Sequence, residues 1–263
     1  MNDWCFGIVF DNHPEKRPKM KNFLTSICFL FISFLSFSQP PTYDDLKVLF
    51  ADGNYEKLAK VASGYTESDK TGKDVLPYIW LAKGLYKISL SGTDDEKFST
   101  AYKDAIKYLK KGLSYDLKYN DGSTFEEHRE FLDEFQASLM EVVDNDVSTG
   151  NYKKAYGWAI KYKTVTVNTV GVNYMMGACK YRDQDKTTAR TLWQEADAQL
   201  KDVSGIDSWS AADKKMLKLG ILHAAAAMKD GRQMDQARAL LNKAAQWFEE
   251  DDDWKERYDE IVN

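Results

Sequence analysis

Cysteine, histidine and proline are scarce in this chain of 263 residues, and each shortage removes a class of function. Of three cysteines, Cys5 and Cys28 lie near the N-terminus and Cys179 stands alone, so neither a disulfide framework nor a Cys/His metal set can be written. Cys179 falls one helical turn from Met175 and Met176 and reads as a small buried apolar residue, not as a nucleophile. His128 sits among Glu126, Glu127, Arg129 and Glu130, the setting of a solvated charged face, and His223 lies between Leu222 and Ala224 as a packed or rim residue. No Gly-rich phosphate loop, nucleophile elbow or His-Glu metal helix occurs, so no enzyme, cofactor or metal is expected. With 36 Lys and Arg against 41 Asp and Glu the net charge is −5, which disfavours nucleic acid as a partner.

A long apolar run is also lacking. The longest, Phe23 to Phe37, has about fifteen residues, short of the roughly twenty that span a bilayer. With Lys21 before it and Ser36 and Ser38 after it, it has the layout of a secretory signal beginning at Met20. Residues 1–38 are therefore set aside as an upstream leader plus signal peptide, and 39–263 as a single domain with no integral membrane segment after cleavage. Their loss removes four basic and three acidic residues and leaves the remainder slightly more acidic. Export, to a periplasm or the cell surface, is the expected destination.

What the remainder does contain is a repeat. Ala189, Trp193 and Ala196 are spaced to share one helix face, small, large, small, which lets helices approach closely while the Trp fills the gap. Ala155, Ala159 and Tyr162 repeat the offsets, as do Ala105, Leu109 and Gly112, then Ala237, Leu241 and Ala244, with a weaker copy at Ala59. The step from Ala155 to Ala189 is 34 residues. Two loops are nearly the same text, Gly53-Asn54-Tyr55-Glu56-Lys57 and Gly150-Asn151-Tyr152-Lys153-Lys154, in which a left-handed Gly stops one helix and Tyr opens the next.

In order, Thr42 is expected to cap a helix begun at Tyr43, with Leu46, Leu49 and Phe50 inward. A helix near 74–90 carries Tyr78, Leu81, Leu85 and Ile88, with Pro77 tolerated in its first turn. Its partner runs over 98–115. Residues 120–124 read as a turn with Ser123 or Thr124 as cap, lacking the carboxylate alternation of a calcium loop. A third hairpin over 125–163 places Phe131, Phe135, Leu139 and Val142 inward. Val165 to Val170 breaks the helical period and reads as an extended linker. A last pair begins at Ala211 or Ala212 and is broken at Gly231. A terminal helix from Trp254, led in by Asp251-Asp252-Asp253, covers the end.

The 34-residue step, the segment Asp104-Ala105-Ile106-Lys107-Tyr108-Leu109-Lys110-Lys111-Gly112-Leu113 and the pairs Leu81-Ala82 and Met176-Gly177 resemble the tetratricopeptide repeat. The Asp-Pro that usually closes a repeat is reduced to Asp116, and none of the five prolines lies at a repeat end. The leader from Met20 resembles those of exported proteins of Bacteroidetes. The family resemblance implies an all-α, right-handed superhelical solenoid of about five antiparallel hairpins with a C-terminal capping helix, acting as a non-enzymatic protein-binding scaffold. It also implies a concave groove lined by Lys83, Tyr86 and Lys87 and by Tyr174, Tyr181 and Arg182, whose cations favour an acidic segment or a C-terminal carboxylate of a protein or peptide. Two alternatives stay open: a carrier of a small or lipid-like ligand, and a structural subunit of an envelope complex. Tyr86 and Tyr181 can equally pack against a neighbouring repeat. A closed cavity lined by Phe and Tyr would favour the carrier; an open groove edged by Lys83, Lys87 and Arg182 would favour the peptide.

Overall fold

The computed structural model describes residues 41–92 and 95–263, and the leader and signal expected over 1–38 lie outside them. Twelve α-helices and one 3-10 turn make up the described secondary structure, without a strand. They are α1 (Asp44–Ala51), α2 (Tyr55–Glu67), α3 (Val75–Leu90), α4 (Ala101–Tyr119), the short α5 (Ser123–Glu126), α6 (Arg129–Ser148), α7 (Tyr152–Lys163), α8 (Thr169–Arg182), α9 (Lys186–Leu200), α10 (Ala211–Asp230), α11 (Met234–Phe248) and α12 (Asp252–Val262). None of the described helices is long and apolar enough to cross a membrane.

The repeated loop is built as its residues require. Gly53 and Gly150 have φ of 70° and 76°, a region open to Gly at no steric cost, and α2 and α7 then start at Tyr55 and Tyr152. Asn54 caps α2 by accepting from the Lys57 amide at 3.3 Å. The small-large-small sets all lie inward: Ala155, Ala159, Tyr162, Ala189, Ala196, Ala237, Leu241 and Ala244 are wholly buried and Trp193 nearly so. Consecutive helices pack on one another through most of the chain, with the short α5 bridging α4 and α6. The exception is the step from α9 to α10, which do not pack on each other; α8 lies against both.

Tertiary demands shift several boundaries. The first helix starts at Asp44 and not at Tyr43, whose backbone is left-handed, φ 53°. The Tyr43 ring is buried edge-on against Tyr65, 5.0 Å between centroids, and its hydroxyl donates to Asp74; these contacts hold the start. The helix expected over 98–115 begins at Ala101 after a 3-10 turn (Glu96–Phe98) and runs on to Tyr119. Neither Ser123 nor Thr124 caps α5: Gly122 stands there with φ 83°, and the orphan amides of Thr124 and Phe125 donate to the buried Asp116 carboxylate at 3.3 and 2.8 Å. On α6 it is Val143, not Val142, that is fully inward. The linker expected over 165–170 ends at Asn168, because Thr169 and Val170 already belong to α8.

Helices α8 and α10 form the centre. α8 packs on α7, α9 and α10, and its residues are buried on almost every side. A Cβ on Gly171 would stand 2.5 Å from the Leu217 backbone, and one on Gly220 would run into the Gly171 carbonyl, so the two helices cross with their backbones in contact. In the tract Ala224 to Ala227 that follows, Ala224, Ala225 and Ala227 are wholly buried. α10 also reaches α6, and α12 closes the end by packing on α10 and α11 with Trp254 buried.

Candidate functional site

None of the six residues that the resemblance placed in a groove presents a free side chain. On α3, the Lys83 ammonium stands 4.6 Å from the Trp80 ring centroid and 5.3 Å from that of Phe131, and 3.3 Å from His128 Nδ1. Burial holds this amine below its ordinary pKa, against the opposing pull of Glu130 and Glu134. His128 corrects the expectation of a solvated face: it lies half-buried, edge-on to Trp80 at 5.9 Å. Desolvation first, then Lys83 and Lys47, push it down to about 4, so its ring is neutral. One turn on, Lys87 donates to Glu134 of α6 at 2.9 Å. Tyr86 is buried against Phe135, 5.1 Å between centroids, with Tyr102 and Phe131 beside it.

The other three sit at the end of α8 and its seam with α9. Tyr174 is wholly buried and donates to Asp197 at 2.8 Å, while its carbonyl accepts from the Trp193 indole at 3.2 Å. Tyr181 stacks on Trp193, 5.4 Å and 25°, with its hydroxyl pressed against Gly231. Arg182 pairs with Asp230 at 3.2 Å and donates to the Tyr152 hydroxyl at 3.3 Å. The three tyrosines are therefore core, not groove lining, because α3 and α8 are packed on several sides. Lys87 and Arg182 are answered by carboxylates of the same chain, and Lys83 by aromatic rings and the His128 imidazole.

A concavity does exist elsewhere, at residues the sequence reading passed over. A cleft of about 490 Å³ lies where α4, α5, α6, the 164–168 linker and the start of α10 converge. Leu113, Leu117, Phe125, Leu132 and Val165 supply its apolar wall. Its buried polar groups are tied to one another. Asp213 accepts from Tyr162 and Thr166 hydroxyls at 2.7 Å each and from the Asn168 amide at 2.9 Å. Gln136 donates to the Val165 carbonyl at 2.7 Å and accepts from Ser210 at 2.9 Å. Arg129 reaches Glu126 at 3.0 Å and the Ser208 carbonyl at 3.1 Å. The exception is Asp133, whose Oδ1 is buried without a hydrogen bond and only 3.7 Å from the Arg129 guanidinium. Burial raises its carboxyl above the usual range, with Arg129 opposing and Asp213 and Glu126 adding.

One signal for this site was legible: Ser210 and Asp213 have the spacing of a helix-capping pair, and the Asp213 amide donates to Ser210 Oγ at 3.0 Å. The convergence of Asp116 of α4 with Asp133 and Gln136 of α6 had none, since the two helices are separate elements whose approach no local pattern encodes. Elsewhere, Cys179 is buried and its thiol is pushed up to about 12, chiefly by desolvation, so it stays protonated near neutrality. His223 is packed and pushed down to about 4 by desolvation, with Arg257 and Arg182 adding. Among the described residues no three His, Cys, Asp or Glu side chains converge as a metal set would. No protein-family model matches the sequence, and comparison with curated proteins gives no match.

Proposed function

We propose that the protein is a non-enzymatic scaffold that holds a segment of a partner polypeptide in the cleft between α4, α6 and α10. The single observation that carries this is the cleft itself: an apolar wall beside a carboxylate oxygen with no hydrogen-bond partner, in a chain whose other candidate cations and rings are used internally. The lining favours an apolar side chain next to a basic group and not the acidic segment expected from Lys83, Lys87 and Arg182, because Asp121, Glu126 and Asp133 rim it. The neutral histidines and the protonated Cys179 thiol speak for recognition over catalysis.

In the same reading the architecture is a tetratricopeptide-like, right-handed superhelical solenoid of about five hairpins, α1/α2, α3/α4, α6/α7, α8/α9 and α10/α11, with α12 as the cap. Its seams of small residues and the twin Gly-Asn-Tyr loops support it. The destination is a periplasm or cell surface, supported by the apolar run after Lys21.

The test is capture from an envelope fraction by the wild-type protein beside a Leu132→Glu, Asp133→Lys variant of unchanged melting temperature. A polypeptide retained by the first and lost by the second supports the scaffold; equal retention by both rejects the cleft. A second reading, a carrier of a small or lipid-like ligand, is favoured by the cleft volume, which falls in the usual range of roughly 300 to 1,000 Å³ for such pockets. Native mass spectrometry of protein purified without detergent separates the two: a bound small molecule, released by the same variant, selects the carrier.

A further inference from the structure

Positive charge in this acidic chain is unevenly placed. α4 holds five lysines against two aspartates, one of them the buried Asp116, and α7 holds four lysines and no acid. The helix between them in the chain, α6, is strongly acidic, so the third hairpin carries opposite charge on its two helices. Lysines elsewhere often find carboxylates: Lys87, Lys97, Lys180, Lys218 and Lys243 each stand within ion-pair distance of one. On α4 and α7 only Lys153 does, at 3.9 Å from Asp183, and the other eight have no carboxylate partner.

These two helices come near one another: burial first, and then Lys103 of α4, holds the Lys161 amine of α7 below its ordinary pKa. Tyr102 of α4 and Trp158 of α7 are 5.9 Å apart, and the C-terminal half of α4 meets the linker after α7 across the cleft. Instead of acids, the lysines lie over rings: Lys107 over Tyr108 at 5.2 Å, Lys118 over Tyr119 at 5.0 Å and Lys161 over Trp158 at 4.4 Å. Six large apolar side chains are exposed among the described residues, and four of them, Leu117, Tyr119, Ile160 and Val167, belong to α4, α7 or the linker that follows.

We propose that the α4–α7 face docks on the surface of an anionic lipid bilayer. Its lysines would meet phosphate headgroups, and Tyr119, Ile160 and Val167 would enter the interfacial layer. Lysine alone would suit any polyanion; the exposed apolar and aromatic side chains on the same face select a lipid surface over an acidic polypeptide, because a soluble polyanion offers them nothing to bury against. Each lysine near an anionic surface adds a similar increment of attraction, which salt screens. Leu117 and Val167 also line the cleft, so a bilayer on this face and an occupant of the cleft meet at the same edge. This inference stands on surface charge and does not depend on the scaffold reading.

The experiment is co-sedimentation of the full chain with phosphatidylcholine vesicles and with vesicles of phosphatidylcholine and phosphatidylglycerol, at low and high salt. Two variants accompany it: Lys103→Glu, Lys107→Glu, Lys154→Glu, all at exposed positions, and Ile160→Ser, Val167→Ser. Both keep the N-terminal apolar run and its basic flank, so any binding by that segment is common to all samples. The expected result is a preference for anionic vesicles that weakens at least about tenfold with the charge variant, falls with salt and is reduced by the Ser variant. An unchanged preference in the charge variant overturns the proposal. So does binding of polyglutamate to the wild type that the charge variant loses, without any vesicle binding to accompany it.

Discussion

At the scale of single residues, glycine shows how one substitution takes opposite signs. Within α8 a Cβ on Gly177 would collide with the Trp193 indole, which is buried, stacked on Tyr181 and hydrogen-bonded to the Tyr174 carbonyl. Gly157 in α7 has nothing within 4 Å of the same added atom. Ala gains about 1 kcal/mol over Gly in a helix interior, while overpacking costs about 1 to 3 kcal/mol. Gly157→Ala is therefore expected to raise stability by up to about 1 kcal/mol, and Gly177→Ala to lower it, since the ring has no room to retreat. Urea denaturation of the two variants checks both signs. Histidine makes the second case. His223 is neutral in the fold until about pH 4, whereas the unfolded chain takes up its proton near 6.5. Stability from this residue is thus full above pH 6.5 and is lost as pH falls towards 4, by at most about 1.4 kcal/mol per unit. The urea midpoint of the wild type should decline over that window more steeply than that of His223→Gln; parallel declines would show that the ring is not the cause.

At the scale of elements, α12 is a cap held by one buried ring and one capping network. Trp254 is buried with Phe248 5.2 Å away, and the Trp254 amide donates to Asp251 Oδ1 at 3.0 Å. Lys218 of α10 bridges Asp251 and Asp253 at 2.8 and 3.0 Å. Trp254→Ala is expected to cost about 3 to 5 kcal/mol and Asp251→Ala about 1 kcal/mol. Calorimetry gives the order, and the larger loss should bring aggregation as the α10 and α11 faces open. Helix identity was largely legible in the text. Five seams of small and large residues were readable because a 3.6-residue period survives in any surroundings. The Gly-Asn-Tyr loops were readable because a left-handed backbone selects Gly. Starts such as Tyr43 and Ser123 were not, since Asp74 and Asp116, residues remote or buried in another helix, set them.

At the scale of the molecule, burial is graded. α8 and α10 lie inside on almost all sides, whereas α1 has a single buried residue, Leu46. Two apolar clusters meet at this central pair, one running from α1 to α10 and the other from α8 to α12. Amide exchange is therefore expected to be slowest in α8 and α10 and fastest in α1, as read by hydrogen-exchange mass spectrometry. Uniform protection would contradict the gradient. The same crowding explains the fate of the groove residues. Tyr86, Tyr174 and Tyr181 have the types of a contact surface, yet the neighbouring helices close over them.

By itself the sequence determined that the chain folds into helices, where most of the hairpins turn and which faces are inward, because period, Gly turns and side-chain size act over a few residues. Only the tertiary structure decided which polar groups remain free. Lys83, Lys87 and Arg182 meet a histidine and carboxylates of other helices, Asp133 is left without a hydrogen bond, and of the lysines of α4 and α7 only Lys153 meets a carboxylate. Those outcomes depend on distances between residues tens of positions apart, and no local pattern encodes them.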